Sequence, residues 1–308
     1  MTKILVTGGC GFVGSNLVDI LVQDDNNEVL VVDSLDTGKK EYCNEKAKYI
    51  FADIRDVFGC SITEAAIKLI VPKYLTTLMR NVDIVFHLAA LARIQPSFGR
   101  PLETLDVNAK GTALVCEYAR NIGAKMIYAG SSSFYAGQYL NPYAFSKWQG
   151  EEVCKMYSEV YDTNTAIARF FNVYGNRHPS EGPYGTVIGI FERQYLNKNP
   201  LTVTGNGNQR RDFTHVKDIC SGLIELSKGV HSGAVYNLGT GKNHSINELA
   251  AMYTESEVEF IPPRPGEAWE TLADISKTTD KVGWSPKHSL EEYVNNWVQS
   301  VKCGGKND

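Results

Sequence analysis

Six short apolar runs, separated by longer amphipathic stretches, set the limits on how this chain folds. The runs cover residues 4–6, 29–32, 49–52, 84–90, 126–129 and 166–171. They are rich in β-branched and aromatic residues and alternate only in part with polar ones, as strands buried on both faces do. Helical patterns near 12–23, 64–80, 101–121 and 144–161 lie between them. Alternation of this kind predicts an α/β fold with a doubly wound parallel sheet. Beyond Gly175 the rhythm weakens. Segment 176–185 is loop-rich, and helices are expected over 187–197, 245–254 and 289–301, with a Pro-rich turn at 262–266. A strand at 234–238 is expected to rejoin the sheet. The division that follows is a sheet domain over 1–175 with a returning segment near 205–242. A smaller C-terminal lobe takes 176–204 and 243–303.

A length of 308 residues suits two domains and a core that needs neither metal nor disulfide. The seven cysteines are odd in number, widely spaced and without a C-x-x-C pair. This argues against a zinc site or a disulfide framework and fits a reducing compartment. No metal is expected. A net charge of −4 suits a general nucleic-acid binder poorly. No apolar run approaches the ~20 residues of a membrane span. The N-terminus lacks the pattern of a secretion signal. The expected location is cytoplasmic, with neither nucleic acid nor membrane as a partner.

The first run leads into Thr7-Gly8-Gly9-Cys10-Gly11-Phe12-Val13-Gly14 and then a helix. Glycines at 8, 11 and 14 permit a tight turn, close approach of backbone to a pyrophosphate, and close helix–strand packing. The helix N-terminus then offers free N–H groups to phosphate, with Phe12 and Val13 in its first turn. Asp33 ends the second run 19 residues beyond Gly14. Its carboxylate can accept from both adenosine ribose hydroxyls and would repel a 2′-phosphate, so NAD is favoured over NADP. Asp53 and Ile54 follow the third run, where Asp53 could meet the adenine amino group. Leu88, Ala89 and Ala90 follow the fourth, where small residues let backbone pass close to the cofactor. His87 reads more simply as a satisfied buried histidine than as a catalytic one.

Tyr143 and Lys147 stand at i and i+4 on an expected helix and share a face. A phenol titrates near ~10, and a neighbouring ammonium would favour its phenolate. The result would be a general base that removes a hydroxyl proton while hydride leaves the same carbon. Ser131, Ser132 and Ser133 follow the fifth run, at the sheet edge where ligands bind. At least one of the three is a plain polar turn residue.

With these motifs in order, the chain resembles the extended short-chain dehydrogenase/reductases, specifically the NAD-dependent sugar-nucleotide epimerase/dehydratase group. The closest pattern is that of UDP-glucose and UDP-N-acetylglucosamine 4-epimerases. The resemblance runs from Lys3 to about Val298. It includes Asn108 in Val-Asn-Ala-Lys-Gly-Thr, Arg169 to Gly175, Arg211-Asp212-Phe213 and Arg264-Pro265-Gly266-Glu267. It implies a Rossmann-type sheet domain with a substrate-binding lobe, and Ser131, Tyr143 and Lys147 as the catalytic residues. Asn108 and Phe171 are implied as further cofactor neighbours. Asn172, Arg211 and Arg264 are implied at the nucleotide diphosphate, Val187 at the nucleobase, and Ser132 and Thr271 near the sugar.

It also implies a UDP-sugar substrate and a homodimer formed through the Tyr143 helix and the helix at 101–121. Relatives that dehydrate or decarboxylate carry an acid within two residues after the catalytic Ser/Thr, where this chain has Ser132 and Ser133. That favours 4-epimerisation through a 4-keto sugar. The other readings are dehydration or decarboxylation, 4-reduction, and a non-catalytic NAD-binding sensor or scaffold. Only eleven residues separate Ser131 from Tyr143, about half the usual spacing. Thr271 stands where a small residue is associated with acceptance of N-acetylated sugars.

Overall fold

The computed structural model describes residues 1–59 and 78–304. Its main sheet is parallel and has seven strands. These are β1 (Thr2–Thr7), β2 (Asn27–Asp33), β3 (Lys48–Phe51), β4 (Ile84–His87), β5 (Lys125–Ser131), β6 (Thr165–Phe170) and β7 (Ala234–Leu238). The spatial order is β7-β6-β5-β4-β1-β2-β3, the doubly wound arrangement with its switch between β1 and β4. The expected strand at 234–238 does return, pairing parallel with β6 from Ala234 opposite Ala166 to Leu238 opposite Phe170.

Alternation within each strand feeds two cores. Ile4, Val6, Val29, Val31, Phe86, Ile127, Ala166 and Ala168 face one way. They pack against the helices Phe12–Leu21 and Val216–Lys228. Leu5, Leu30, Val32, Val85, Met126 and Ile167 face the other way, against Val115, Cys116 and Ala119 of the helix Gly111–Ile122 and Cys154 of the helix Pro142–Tyr161. Both faces are therefore covered, and this is why the runs read as nearly continuous apolar sequence.

The expected single helix over 101–121 is three segments. A π-helical turn, Asp106–Lys110, joins Pro101–Leu105 to Gly111–Ile122. Of the expected helix at 64–80, residues 64–77 lie outside the described residues. A third core belongs to the smaller lobe and gathers Tyr174, Ile188, Phe191, Leu201, Val203, Phe213, Leu249 and Val294. Two small sheets frame it. Leu201–Thr204 pairs parallel with Val258–Ile261, and Arg210–Asp212 pairs antiparallel with Asn243–Ser245. Among the described residues no helix is long and apolar enough to cross a membrane, no metal-binding cluster occurs, and the cysteines are free.

Candidate active site

The carboxyl ends of β1 and β4 meet at the switch point, and there the glycine turn folds against the backbone after β4. Gly8 sits at φ +75°, and a Cβ on it would stand 2.7 Å from the amide nitrogen of Ala89. A Cβ on Gly14 would overlap the carbonyl oxygen of Gly8. Only glycine leaves room at these two points, and the space kept clear is a cradle at the start of the helix Phe12–Leu21. Asp33 ends β2 beside it. Its Oδ2 accepts the Cys10 amide at 2.8 Å and its Oδ1 accepts the Leu35 amide at 2.7 Å. Burial raises the carboxyl above its ordinary value, against the pull of those two hydrogen bonds. Each oxygen keeps a lone pair for a further donor, as two ribose hydroxyls would require.

A cavity of about 1150 Å³ opens from this cradle. Gly8, Gly11, Phe12, Val13, Gly14, Asp33, Asp53, Ile54, Leu88, Ala89 and Ala90 line its dinucleotide end. Asp53 is less free than the sequence suggests. Its Oδ2 meets Arg55 Nη2 at 2.7 Å, and Arg55 bridges on to Asp106 at 2.6 Å. That pairing holds the Asp53 carboxyl below its ordinary value.

Two expected cofactor neighbours stand back from the cavity. Asn108, in the π-helical turn, is 1% exposed; it bonds both backbone groups of Leu91 and donates to Ser146 Oγ at 2.9 Å. It therefore ties the loop after β4 to the Tyr143 helix. Phe171 is fully buried against Tyr135, with ring centroids 5.9 Å apart. Phe170 lines the wall instead. His87 is closed off between Thr7 Oγ1 at 2.7 Å and Thr112 Oγ1 at 3.0 Å, and burial pushes it down to about 3. It is a neutral core group.

Tyr143 and Lys147 face the cavity from the first turns of Pro142–Tyr161. Asn141 starts that helix: its Oδ1 accepts the Ala144 amide at 2.7 Å, and Pro142 takes the first helical position. The Tyr143 hydroxyl donates to Ser131 Oγ at 3.5 Å, at the end of β5. Burial raises the Tyr143 phenol, while the Ser131 hydrogen bond and the charge of Arg93 pull it down. The positive neighbour acting on this phenol is thus Arg93, which the sequence reading missed. Lys147 Nζ instead stands 4.2 Å from the Tyr128 ring centroid. Burial pulls Lys147 down to about 8, opposed by Glu151 one turn further on. Glu151 is itself held by Arg169 of β6 at 2.6 Å, and both side chains are almost fully enclosed.

The smaller lobe closes the far side. Ser132, Asn172, Val187, Arg211, Arg264 and Thr271 all line the cavity, drawn from segments far apart in the chain. Asn172 sits at φ 27°, and its Nδ2 donates to the Asp212 carbonyl at 3.0 Å and to Thr271 Oγ1 at 2.9 Å. Thr271 also accepts the Asp212 amide at 3.2 Å. These two side chains brace the wall. Arg211 lies 3.7 Å from Glu267, and burial lowers it from its ordinary value. Arg264 is exposed at the rim. Val187 begins the helix Val187–Leu196, which Thr186 caps by accepting the Gly189 amide at 3.1 Å.

The fold and this cavity define a dinucleotide-dependent enzyme of the doubly wound α/β class. The model of the NAD dependent epimerase/dehydratase family matches residues 4–239, and the chain belongs to that family, with NAD as its cofactor. A Methanocaldococcus jannaschii protein provisionally named UDP-glucose 4-epimerase is 32% identical, over 96% of this chain and 98% of that protein. UDP-glucuronic acid decarboxylase 1 of Danio rerio is 31% identical, over 96% of this chain and 72% of that protein. The crystal structure of Thermotoga maritima UDP-glucose 4-epimerase with UDP-glucose superimposes with a TM-score of 0.85 at 29% identity, covering 98% of this chain and 99% of that one.

Proposed function

We propose that this chain catalyses 4-epimerisation of a UDP-hexose or UDP-N-acetylhexosamine through a transient 4-keto sugar. The observation that carries the reading is the Tyr143–Ser131 hydroxyl pair opening into the same cavity as the glycine cradle and Asp33. NAD, when bound, supplies the acceptor that takes hydride from C4 and gives it back. Gly8, Gly11, Gly14 and Asp33 would hold its adenosine diphosphate, and Lys147 its nicotinamide ribose. Tyr143 takes the C4 hydroxyl proton as the carbon is oxidised and returns it when the carbonyl is reduced, with Ser131 hydrogen-bonding the same oxygen. Arg211 and Arg264 bind the diphosphate as planar forks, and the sugar turns about that link to present its other face.

Ser132 and Ser133 supply no carboxyl for proton transfer at C5 or C6, which favours epimerisation over dehydration. Thr271 leaves the sugar wall small and so supports acceptance of an N-acetyl group. Epimerisation through the ketone leaves the net redox state of NAD unchanged, so no external reductant is required. The chain is further proposed to work as a homodimer through the outer faces of Gly111–Ile122 and Pro142–Tyr161, where Met156, Val160 and Tyr161 are exposed.

The test is Tyr143→Phe. It should keep NAD and UDP binding, measured by calorimetry, while turnover falls by roughly 10²–10⁴-fold. Turnover near the wild-type rate would reject the assignment.

A further inference from the structure

The loop between the strand Val258–Ile261 and Trp269 crosses from the smaller lobe to the sheet domain. Its roots are held by lobe backbone. Val258–Ile261 pairs with Leu201–Thr204, and the Trp269 carbonyl accepts the Arg210 amide at 3.0 Å. Its tip lies on two elements of the sheet domain. Gln95, in the helix Ile94–Gly99, donates from Nε2 to the Pro265 carbonyl at 2.9 Å. Asn141 donates from Nδ2 to the Gly266 carbonyl at 3.0 Å. Gly266 sits at φ +73°, and a Cβ on it would stand 2.9 Å from Phe98 Cζ and 3.4 Å from the Leu140 carbonyl oxygen, so the tip is closely seated. The same tip carries Arg264, and Glu267 just after it lies 3.7 Å from Arg211. Both arginines proposed to hold the diphosphate are therefore tied to this loop.

Asn141 is the point where the loop meets the Tyr143 helix. It is 6% exposed and lines the cavity. The two ends of its amide have separate tasks: Oδ1 accepts the Ala144 amide and starts the helix, while Nδ2 holds the loop. A helix cap requires only the acceptor, and Asp or Ser serves as well as Asn. The donor is needed only to hold the loop. Tyr143 lies between the capping residue and the amide it caps. Its own amide donates to Ser97 Oγ at 3.2 Å, on the helix that carries Gln95. We infer that Asn141 is a positioning residue, coupling the seating of the 264–267 loop on the substrate diphosphate to the alignment of Tyr143 with the sugar. The inference rests on the reading above, in which Arg211 and Arg264 bind the diphosphate and Tyr143 is the base. Coupling of this kind is reciprocal. A seated loop stiffens the first turn of the helix, and a formed first turn presents the donor that seats the loop.

The test sets Asn141→Asp beside Asn141→Ala in the full chain with NAD present. Asp keeps the acceptor for the Ala144 amide and loses the donor to Gly266, whereas Ala loses both. Denaturation gives stability, calorimetry gives NAD and UDP affinity, and NMR gives kcat and KM for UDP-glucose and UDP-N-acetylglucosamine. Hydrogen exchange read by mass spectrometry follows residues 264–267 and 143–146 with and without UDP. Asn141→Asp should match wild type in stability and NAD affinity, bind UDP up to about 10-fold more weakly, and lose about 10-fold in kcat. UDP should slow exchange in both segments of wild type and only in the loop of Asn141→Asp. An Asn141→Asp with wild-type kcat and KM would show a helix cap and nothing more, and overturns the inference. So would losses that merely follow a fall in stability, as a lost cap in Asn141→Ala would produce. A wild type that turns over neither sugar refutes the epimerase reading instead. Hydrogen exchange then decides the inference: a helix response to UDP that Asn141→Asp abolishes upholds it, and one that is absent or survives the substitution overturns it.

Discussion

The two halves of the cavity are built in different ways. On the dinucleotide side, the lining residues sit at the ends of parallel strands, in the turns after them or in the first turn of the helix that follows, and backbone does much of the work. Gly8 and Gly14 matter for the side chain they lack, and Asp33 is oriented by two amides of its own loops. On the lobe side, the residues come from segments around 172, 187, 211, 264 and 271, and they are placed by one another. Asn172, Asp212 and Thr271 form one hydrogen-bonded group, and Arg211 is steadied by the carbonyls of Arg210 and Trp269. The first kind of site is sensitive to a single methyl group. The second tolerates small changes and loses affinity by degrees.

The sharpest way to break this contrast is Gly14→Ala. The added Cβ has nowhere to go but into the Gly8 carbonyl, and overpacking of this kind costs up to about 3 kcal/mol. NAD affinity should fall by about 100-fold. UDP affinity, followed in the same calorimeter, should change little. Equal loss of both ligands would show that the two halves are not independent.

Lys147→Met probes the seam between them. The folded protein holds this ammonium at about 8, below its ordinary value of 10.5, because it is buried. Below pH 8 both folded and unfolded states carry the proton, and the fold bears the full cost of a buried charge. Between pH 8 and 10.5 the folded state binds fewer protons, so stability rises with pH. The span corresponds to roughly 3 kcal/mol. Chemical denaturation at pH 7 and pH 10 should show this rise in wild type and a smaller one in Lys147→Met. The variant should also be more stable than wild type at pH 7 and far less active. A parallel pH response in the two proteins would contradict the assignment of a buried charge.

Asn172→Ala should have the smallest effect. It removes two hydrogen bonds within the lobe wall and places alanine at a positive φ. A loss of about 1–2 kcal/mol is expected, with NAD affinity unaltered. A large drop in NAD affinity would mean that the wall is coupled to the cradle.

How much of this was legible in the sequence follows the same division. The six apolar runs each fall on a strand of the sheet, with bounds that differ by one to three residues, and the returning strand at 234–238 matches its observed bounds, because strands packed between helices leave a plain apolar signature. The glycine spacing and the Tyr143–Lys147 pair were equally plain as local patterns, and the structure brings both to one cavity.

The lobe's strands were missed. They are three or four residues long, and Val258–Ile261 has mostly exposed side chains, so no buried face marks it. The helix Val216–Lys228 went unread although Val216, Ile219, Cys220, Leu223 and Leu226 have helical spacing and are buried. That signal was available. Asn108 and Phe171 could not be separated from true cavity residues by sequence, because a π-helical turn and a buried ring stack set their positions. Arg93 was overlooked for a related reason. An arginine in a loop reads as surface charge until the structure shows that it faces a cavity.

The measurement that bears most directly on the proposed reaction is NMR of the purified chain in D2O with UDP-hexoses, UDP-N-acetylhexosamines and UDP-glucuronic acid. Inversion at C4 with no deuterium on the ring is the expected result, because hydride leaves and returns within one cavity and Tyr143 handles only the hydroxyl proton. Deuterium at a carbon next to the ketone, or loss of CO2 without an epimer, would contradict it.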